Sequence, residues 1–429
     1  MTNKIGFWSV LALVVGSQIG SAVFMLPASL APFGIYSLAG WAVSAFGAIA
    51  LAVVFADLCF RFPKTGGPHV YIEHLFGRNV AFFTGWTYWV VSSVSSAAVI
   101  VAAVSYLAPF IGTEDPMVYL FLEILLLLVI CMLNLFGVAI AGRAEVLFTI
   151  LKFLPLFIVP VAAISFFDSN NFTISQANAS LDNVTILAKT TLLTLWGFIG
   201  IESATTPAGS VKNAKKTIPR AVIIGTLIVA SIYIFNSITI MGVIPGAELE
   251  VSKAPYVDVA QRIFGGHWHM FIAVAASIVC IGTLNAWVLV SGQISLGLAE
   301  DKMLPSIFAK RNKYNAPYFS IILSSLSMVP LLILTSNNTT AGQVAEVIDF
   351  SVTSFLFIYL LCSLVNLVLS FREKRIIVTL ISLVSVIFCT WVIYKTPITT
   401  IGISSLFTIS GAIIYFFWYR KTLVKTGYV

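Results

Sequence analysis

The sequence predicts an all-α polytopic membrane protein with twelve transmembrane helices, of which the first ten form two inverted repeats of five. Three observations predict this fold class. Of the 429 residues, 59% are hydrophobic and only 10% are charged, whereas soluble domains carry about 25% charged residues. Apolar runs of about 20 residues, the length that crosses a bilayer, recur along the whole chain. Two of these runs are interrupted by glycine and polar residues at corresponding places.

Hydropathy divides the chain into twelve spans that together form a single transmembrane domain with no soluble domain. Spans 1 to 12 are predicted at residues 7–31, 36–60, 80–110, 116–140, 144–167, 187–208, 219–244, 268–299, 317–336, 344–371, 376–394 and 399–419. Residues 420–429 are predicted to be a short cytoplasmic tail.

The positive charges are distributed unevenly between the two sides of the predicted membrane. Of the 24 Lys and Arg residues, 19 fall on the side of the two termini, four on the opposite side, and Lys152 inside span 5. Loops that face the cytoplasm carry an excess of Lys and Arg. We therefore expect both termini to be cytoplasmic in a cell inner membrane. The net charge of +7 reflects this topology and gives no reason to expect a nucleic-acid partner.

Two spans are interrupted near their middle. Span 1 contains "VGSQIGSAVFMLP" with its break centred on Gly20–Ser21, and span 6 contains "TLWGFIGIESATTP" with its break centred on Gly197–Glu202. In transporters, corresponding interrupted segments in two halves are the best sequence indicator of a binding site. The alternative interpretation is that the glycines allow close helix packing.

The spacing of the two interruptions predicts the repeats. Each interrupted span is the first of a block of five, and because five is odd the second block starts from the opposite face of the membrane. We therefore expect inverted repeats over about 7–167 and 187–371, with spans 11 and 12 outside them at about 376–419.

Unwound backbone at these positions predicts a site for a small zwitterion. Unpaired backbone groups in hydrocarbon cost several kcal/mol each, so unwinding is tolerated beside a cavity or within protein. At the first break the free N–H groups favour an anion, Gly20 allows close approach of a ligand, and Ser21 adds a hydroxyl. At the second break the carbonyls from Trp196 through Gly197 to Ile199 suit an ammonium group. An α-amino acid carries both groups.

Side chains of spans 3, 6 and 8 are candidates for the wall of the site. Trp196 and Trp287 lie in mid-span, although tryptophan usually lies at the membrane interface. They either cover the substrate or pack in the core. Tyr88, Ser92 and Ser96 form one polar stripe along a helical face. This stripe either lines the cavity or bonds neighbouring helices.

Glu202 and Lys152 are predicted to be the only deep pair of charged groups. Ionisable residues inside a membrane are rare and mark functional sites. Glu202, beside the second break, is expected to gate the site, pair with a cation or carry a proton. Lys152 is expected either to couple transport to protons or to be a fixed cation bound to backbone carbonyls at the first break.

Four segments resemble the amino acid–polyamine–organocation (APC) transporter superfamily: "IGSAVFMLP", "PKTGGPHVYIEHLFG", "LWGFIGIESATTPAGSVKNAKKTIPRA" and "SGQISLGLAEDKMLP". Within it the chain looks most like the basic amino acid/polyamine antiporter branch, which includes the bacterial arginine/agmatine antiporter. The resemblance covers nearly the whole chain. It implies a LeuT-like five-plus-five inverted repeat and an amino acid transporter of the cytoplasmic membrane.

The resemblance also implies roles for single residues. In this sequence Ile19, Gly20, Ser21 and Ala22 occupy the motif that binds the substrate carboxylate. Trp196 and Ile199 match substrate contacts, Glu202 the acidic residue next to them, Trp287 a gating tryptophan and Tyr88 a gating tyrosine.

Three positions depart from the pattern of the family. The motif Gly-Ser-Gly is Gly-Ser-Ala here, so Ala22 adds a methyl group near the substrate. Ser92 and Ser96 align where the arginine/agmatine branch has Cys and Asn. That branch has no lysine at the position of Lys152, whereas proton-coupled transporters and some exchangers of the superfamily do.

These features predict a secondary amino acid transporter that works by alternating access. The most favoured function is an amino acid/polyamine antiporter for basic or neutral amino acids. The alternative is a proton-coupled symporter that uses Lys152, and a non-transporting receptor or a channel is a third class. The chain shows no catalytic pattern, metal spacing or phosphate loop, so no enzyme, cofactor or metal is expected. The expected partners are the substrate, the lipid bilayer, protons and a second copy in a homodimer.

Overall fold

A computed structural model describes residues 4–113, 115–252, 254–336 and 340–420, without the side chains of 177, 269, 335 and 340–349. In this part of the chain, eleven helices are long and apolar enough to cross a membrane, and a shorter apolar helical segment covers Tyr318–Leu334. The prediction of a twelve-span helical membrane protein is therefore confirmed. The tail predicted at 420–429 lies outside the described residues apart from Arg420.

Some connections between spans contain short helices: Ser169–Asn171 and Gln176–Ala179 separate spans 5 and 6, and Gly246–Leu249 and Pro255–Phe264 separate spans 7 and 8. Spans 1 to 12 cover Phe7–Leu30, Tyr36–Arg61, Pro68–Ser105, Pro116–Leu135, Val138–Phe166, Asn183–Thr205, Ala214–Val243, Met270–Glu300, Tyr318–Leu334, Phe350–Arg372, Ile376–Lys395 and Ile398–Tyr419. The division of these spans into two repeats stays a prediction.

The boundary between spans 4 and 5 differs from the hydropathy prediction. Span 4 ends at Leu135 and span 5 begins at Val138, although the sequence predicted 140 and 144. The turn is made by Phe136 and Gly137, and Gly137 has φ 95°, a conformation that L side chains rarely adopt. Because both residues are apolar, hydropathy does not register the turn.

Both predicted interruptions are present. Span 1 consists of the helices Phe7–Gln18 and Ala22–Leu30, and Ile19 between them is extended with φ −81° and ψ 97°. In span 6 the helix Asn183–Leu195 is followed by the 3₁₀ turn Trp196–Phe198 and then by extended Ile199. Gly200 has φ 109°, so the backbone there follows a path that favours glycine.

The interrupted spans lie inside the bundle. Spans 1, 3 and 8 are mostly buried, whereas spans 4, 11 and 12 expose most of their apolar surface. Phe121 of span 4 and Phe417 of span 12 are examples of large apolar side chains that face outward. An interruption at the centre of the bundle is surrounded by protein, which is where unpaired backbone groups are tolerated.

A polar cluster ties the connection between spans 2 and 3, and the first turns of span 3, to the end of span 8. The carboxylate of Asp301 accepts from Lys64 and lies 3.2 Å from Nε2 of buried His69, while Arg78 donates to the Asp301 carbonyl at 2.6 Å. Burial raises the pKa of Asp301, but the hydrogen bonds and charges of His69 and Lys64 outweigh it and hold the pKa below the ordinary 3.8.

Candidate functional site

A small cavity lies between the two interruptions and against spans 3, 8 and 10. Its volume is about 40 Å³, which is room for only a few water molecules. It is lined by Ser17, Gln18, Gly20, Ser21, Ser95, Val99, Trp196, Ile199, Thr283, Trp287, Ser351, Val352 and Phe355. None of these described lining residues is charged. An amino acid enters only if these walls move apart, so the conformation is a contracted one.

The first interruption leaves four carbonyl groups, at residues 16–19, without the partners that a continuous helix supplies. Side chains from three other spans donate to them instead. Gly16 accepts from Lys152 at 2.7 Å, Ser17 from Trp287 at 3.1 Å, Gln18 from Tyr233 at 2.9 Å, and Ile19 from Thr283 at 2.7 Å and Lys152 at 2.9 Å. The protein itself therefore satisfies the acceptors of the first interruption.

The backbone donors of the first interruption are not satisfied in the same way. Within the described part of the chain, no backbone carbonyl accepts from the N–H of Gly20 or Ser21. The Gly20 N–H is directed at the Tyr233 hydroxyl, whereas the Ser21 N–H is left without a partner among the described residues. Both residues line the cavity, and they stand at the start of the helix Ala22–Leu30. Free N–H groups at a helix N-terminus bind anions.

The second interruption shows the opposite pattern. The Ile199 N–H bonds to the Trp196 carbonyl at 3.1 Å, and the Gly200 carbonyl accepts from Ser17 Oγ at 3.2 Å. No donor among the described residues bonds the carbonyls of Gly197, Phe198 or Ile199. Among the described residues, the first interruption thus has a free donor at Ser21 and the second has free acceptors. The carboxylate and the ammonium of an amino acid complement these two sets.

Aromatic rings form the remaining wall. Trp287 is 4% exposed and is held by its bond to the first interruption. Its ring centroid lies 5.6 Å from that of Phe355. Trp196 also lines the cavity, and its contact with a substrate stays a prediction.

Three predicted contact residues do not line the cavity. Ile19 and Ala22 are buried in the core beside the interruption. A side chain at Gly197 would meet Tyr233 and Trp41 at 3.0–3.2 Å. Gly197 therefore allows close helix packing, the alternative that the sequence left open, and substrate contact at these three positions stays a prediction.

The cavity wall on span 3 is one residue away from the predicted stripe. Ser95 and Val99 line the cavity. Ser92 Oγ instead lies 2.9 Å from Ser291 Oγ of span 8, and Ser96 donates to the Ser92 carbonyl at 2.7 Å. Ser92 thus bonds a neighbouring helix, and neither Ser92 nor Ser96 reaches the cavity. Successive residues of a helix point about 100° apart, so sequence alone does not choose between Ser95 and Ser96.

Several other lining residues were missed by sequence reasoning. Ser17 and Gln18 stand within the quoted break, where their polarity was the available signal. Thr283, Ser351, Val352 and Phe355 carried no signal, because their positions at the cavity depend on how spans 8 and 10 pack.

Glu202 lies outside the cavity in an aromatic environment. It is fully buried, its Oε2 accepts from the Tyr359 hydroxyl, and its Oε1 has no partner among the described residues. Tyr88 is buried close to the same carboxyl group. The ring of Phe355 lies 5.8 Å from Tyr88 and 6.1 Å from Tyr359, so it stands between this group and Trp287.

Lys152 is fully buried and has a partner that the sequence did not indicate. Besides its bonds to Gly16 and Ile19, its Nζ donates to Thr283 Oγ1 at 2.9 Å and lies 3.9 Å from Oε1 of buried Glu145. The prediction that Glu202 and Lys152 are the only deep pair is wrong. Glu145 is the second residue of the span predicted at 144–167, at the membrane edge, whereas the helix begins at Val138 and places Glu145 about two turns deeper.

Comparisons with known proteins give consistent results. A family model described as amino acid permease matches residues 5–421. The cadaverine/lysine antiporter of Escherichia coli (strain K12) is 28% identical over 345 residues, which are 80% of this chain and 78% of the relative. The putative arginine/ornithine antiporter of Bacillus subtilis (strain 168) is 30% identical, over 85% and 84%. The putrescine transporter PotE of Haemophilus influenzae is 31% identical, over 84% and 83%.

Proposed function

The chain belongs to the amino acid permease family, and on that premise we propose that it is an antiporter. It exchanges a basic or neutral amino acid for a related amino acid or polyamine by alternating access. The observation that carries the proposal is the opposite polarity of the two interruptions. Among the described residues, the N–H of Ser21 at the first interruption and the carbonyl of Ile199 at the second have no partner, and both residues line the cavity.

The substrate is bound through its α-groups in this proposal. Its carboxylate accepts hydrogen bonds from Gly20 and Ser21, where the helix dipole also favours negative charge. Its ammonium donates to the carbonyl of Ile199, which lines the cavity beside Trp196. Residues 16–19 do not compete for the ammonium, because their carbonyls already accept from side chains.

The names of the relatives support basic amino acids and polyamines as substrates. The names of three relatives refer to cadaverine, lysine, arginine, ornithine or putrescine, all of which carry a cationic group besides the one that the second interruption accepts. The faces of Trp196 and Trp287 suit both an aliphatic chain and a cation.

Proton-coupled symport is the second candidate function, and Lys152 favours it. Its ammonium links span 5 to both carbonyl ends of the first interruption and to span 8. Loss of its proton would leave two N–H donors for these three acceptors, which would weaken the contacts and loosen the interruption. Lys152→Ala should block uptake driven by a pH gradient but spare counterflow, because counterflow needs no proton. Gradient-driven uptake that survives the substitution would remove Lys152 from coupling.

The placement in the cell belongs to the same proposal. We assign the protein to the inner membrane with both termini cytoplasmic, on the asymmetry of Lys and Arg. Spans 11 and 12 expose most of their surface, and we assign this surface to lipid or to a second copy in a homodimer.

Counterflow in proteoliposomes tests the function. Vesicles preloaded with one amino acid or diamine receive a labelled one outside, across a panel of basic and neutral compounds at two pH values. Saturable uptake that depends on the internal compound supports exchange. Flux that does not saturate and ignores the internal compound would indicate a channel, and binding without flux would indicate a receptor.

Trp196→Leu tests the position of the site in the same assay. We expect at least about a tenfold loss of apparent affinity, because the ring covers the bound substrate. Trp268→Leu is the matched control, since Trp268 is 43% exposed and lies away from the cavity. Equal affinities of the two variants would remove Trp196 from the site.

A further inference from the structure

Gln18 lines the cavity and carries a hydrogen-bond acceptor that has no partner among the described residues. The residue is 3% exposed and lines the cavity at the end of the first half of span 1. Its Nε2 donates to the Val14 carbonyl at 3.1 Å, whereas no described residue donates to its Oε1. One half of the amide is therefore anchored in the helix and the other half is left without a partner.

The orientation of this amide follows from its surroundings. Oxygen and nitrogen of a glutamine are assigned from the hydrogen bonds they make. If the amide were turned over, Oε1 would face the Val14 carbonyl oxygen, and two acceptors would stand in contact. The anchoring bond thus requires that the oxygen is the atom without a partner.

A buried acceptor without a donor is costly, and its cost depends on what fills the cavity. The group loses its hydration and gains nothing if an aliphatic chain covers it, but it forms a strong bond if a charged donor approaches. Ser95 Oγ, on the facing wall, likewise has no partner among the described residues. Gln18 Oε1 and Ser95 Oγ can therefore both accept a hydrogen bond from a substrate.

Resting on the proposed function, we propose that Gln18 Oε1 and Ser95 Oγ form the subsite for the distal ammonium of a basic substrate. The interruptions use their own donors and acceptors for the α-carboxylate and the α-ammonium. The distal ammonium, with three N–H donors, is the part of a basic amino acid that still needs acceptors. The subsite selects substrates with a terminal ammonium over aliphatic ones.

The uncharged amide of Gln18 suits a transporter site, because that site must be stable both with and without substrate. A buried carboxylate without a partner is strongly destabilising. None of the described lining residues is acidic, so emptying the cavity does not create such a carboxylate. The amide still discriminates, because a site built to bond a donor rejects the analogue that lacks it.

Lysine and norleucine form the test pair, since they share one carbon skeleton and differ by the terminal ammonium. Binding of each to the purified full-length protein is measured for wild type, Gln18→Met and Gln18→Glu. Methionine keeps the length of the side chain without the acceptor, and glutamate keeps its shape. We expect wild type to prefer lysine and Gln18→Met to reduce the lysine-to-norleucine affinity ratio by about 10- to 100-fold. Gln18→Glu should raise that ratio.

Two results would overturn the inference. A ratio unchanged by Gln18→Met would mean that Oε1 does not contact the distal ammonium. A ratio that Gln18→Glu fails to raise would mean the same, and this variant decides the matter if Gln18→Met does not fold. Failure of the proposed function looks different: wild type would then show no counterflow, while the dependence of the binding ratio on Gln18 would persist.

Discussion

Replacing Lys152 by methionine tests how the first interruption is held together. In the structure the ammonium donates to Gly16 and Ile19 of span 1 and to Thr283 of span 8, and it faces Glu145 at 3.9 Å. Lys152 and Glu145 are both fully buried. Methionine retains most of the volume of the side chain but neither donates a hydrogen bond nor carries a charge.

The loss in free energy of unfolding is calculated from the groups that lose their contact with the ammonium. Thr283 continues to donate to the Ile19 carbonyl, so only the Gly16 carbonyl is left unpaired, at about 1–3 kcal/mol. Glu145 becomes a buried carboxylate without its cation, at about 3–5 kcal/mol. We therefore expect Lys152→Met to lower the free energy of unfolding by about 4–8 kcal/mol. Adding Glu145→Gln should restore about 3–5 kcal/mol, because it removes the unpaired charge.

Equilibrium unfolding in mixed micelles, followed by tryptophan fluorescence, measures these differences. Lys189→Met is the matched control, because Lys189 is exposed and should stay within about 0.5 kcal/mol of wild type. The reasoning is refuted if Lys152→Met is as stable as this control. It is also refuted if the double variant is no more stable than Lys152→Met alone.

Two further predictions concern the cavity and the cytoplasmic cluster. Ser95→Ala should weaken binding of basic substrates by about tenfold, whereas Ser92→Ala should not, because Ser92 bonds span 8 instead. Competition binding measures the affinity of both variants. A larger loss of affinity in Ser92→Ala than in Ser95→Ala would contradict the orientation of span 3. The second prediction concerns Asp301, whose pKa lies below 3.8: its charge stabilises the fold at higher pH, and this contribution is lost as the pH falls through the depressed value. Asp301→Asn should therefore flatten the decline of thermal stability as the pH falls below about 5. An unchanged decline would show that the Asp301 carboxylate does not cause it.

The two interruptions were predictable because they are local. Gly20 and Ser21, and Gly197 and Gly200, are residue types that a continuous apolar helix does not favour. Their positions along the chain follow from hydropathy alone. The polarity of each interruption toward a substrate stays a prediction, supported by the unpaired N–H of Ser21 and the unpaired carbonyl of Ile199 among the described residues.

Lys152 was predicted either to couple transport to protons or to be a fixed cation, and the structure bears on only the second of these. The contacts of a fixed cation bound to carbonyls at the first break are present. Its proximity to Glu145 depended on where span 5 begins, and the apolar turn at Phe136 and Gly137 concealed that boundary. Proton coupling stays a prediction.

By itself the sequence determined that the chain is a twelve-span membrane protein with two interrupted helices, since chain length, hydropathy and glycine placement are properties of short segments. Only the tertiary structure decided which side chains cap the carbonyls of residues 16–19, and that Ser95 rather than Ser96 faces the cavity. The physical reason is that in hydrocarbon each unpaired backbone group must find a partner. That partner comes from a distant span, whose rotation about its own axis is set by packing and not by its own sequence.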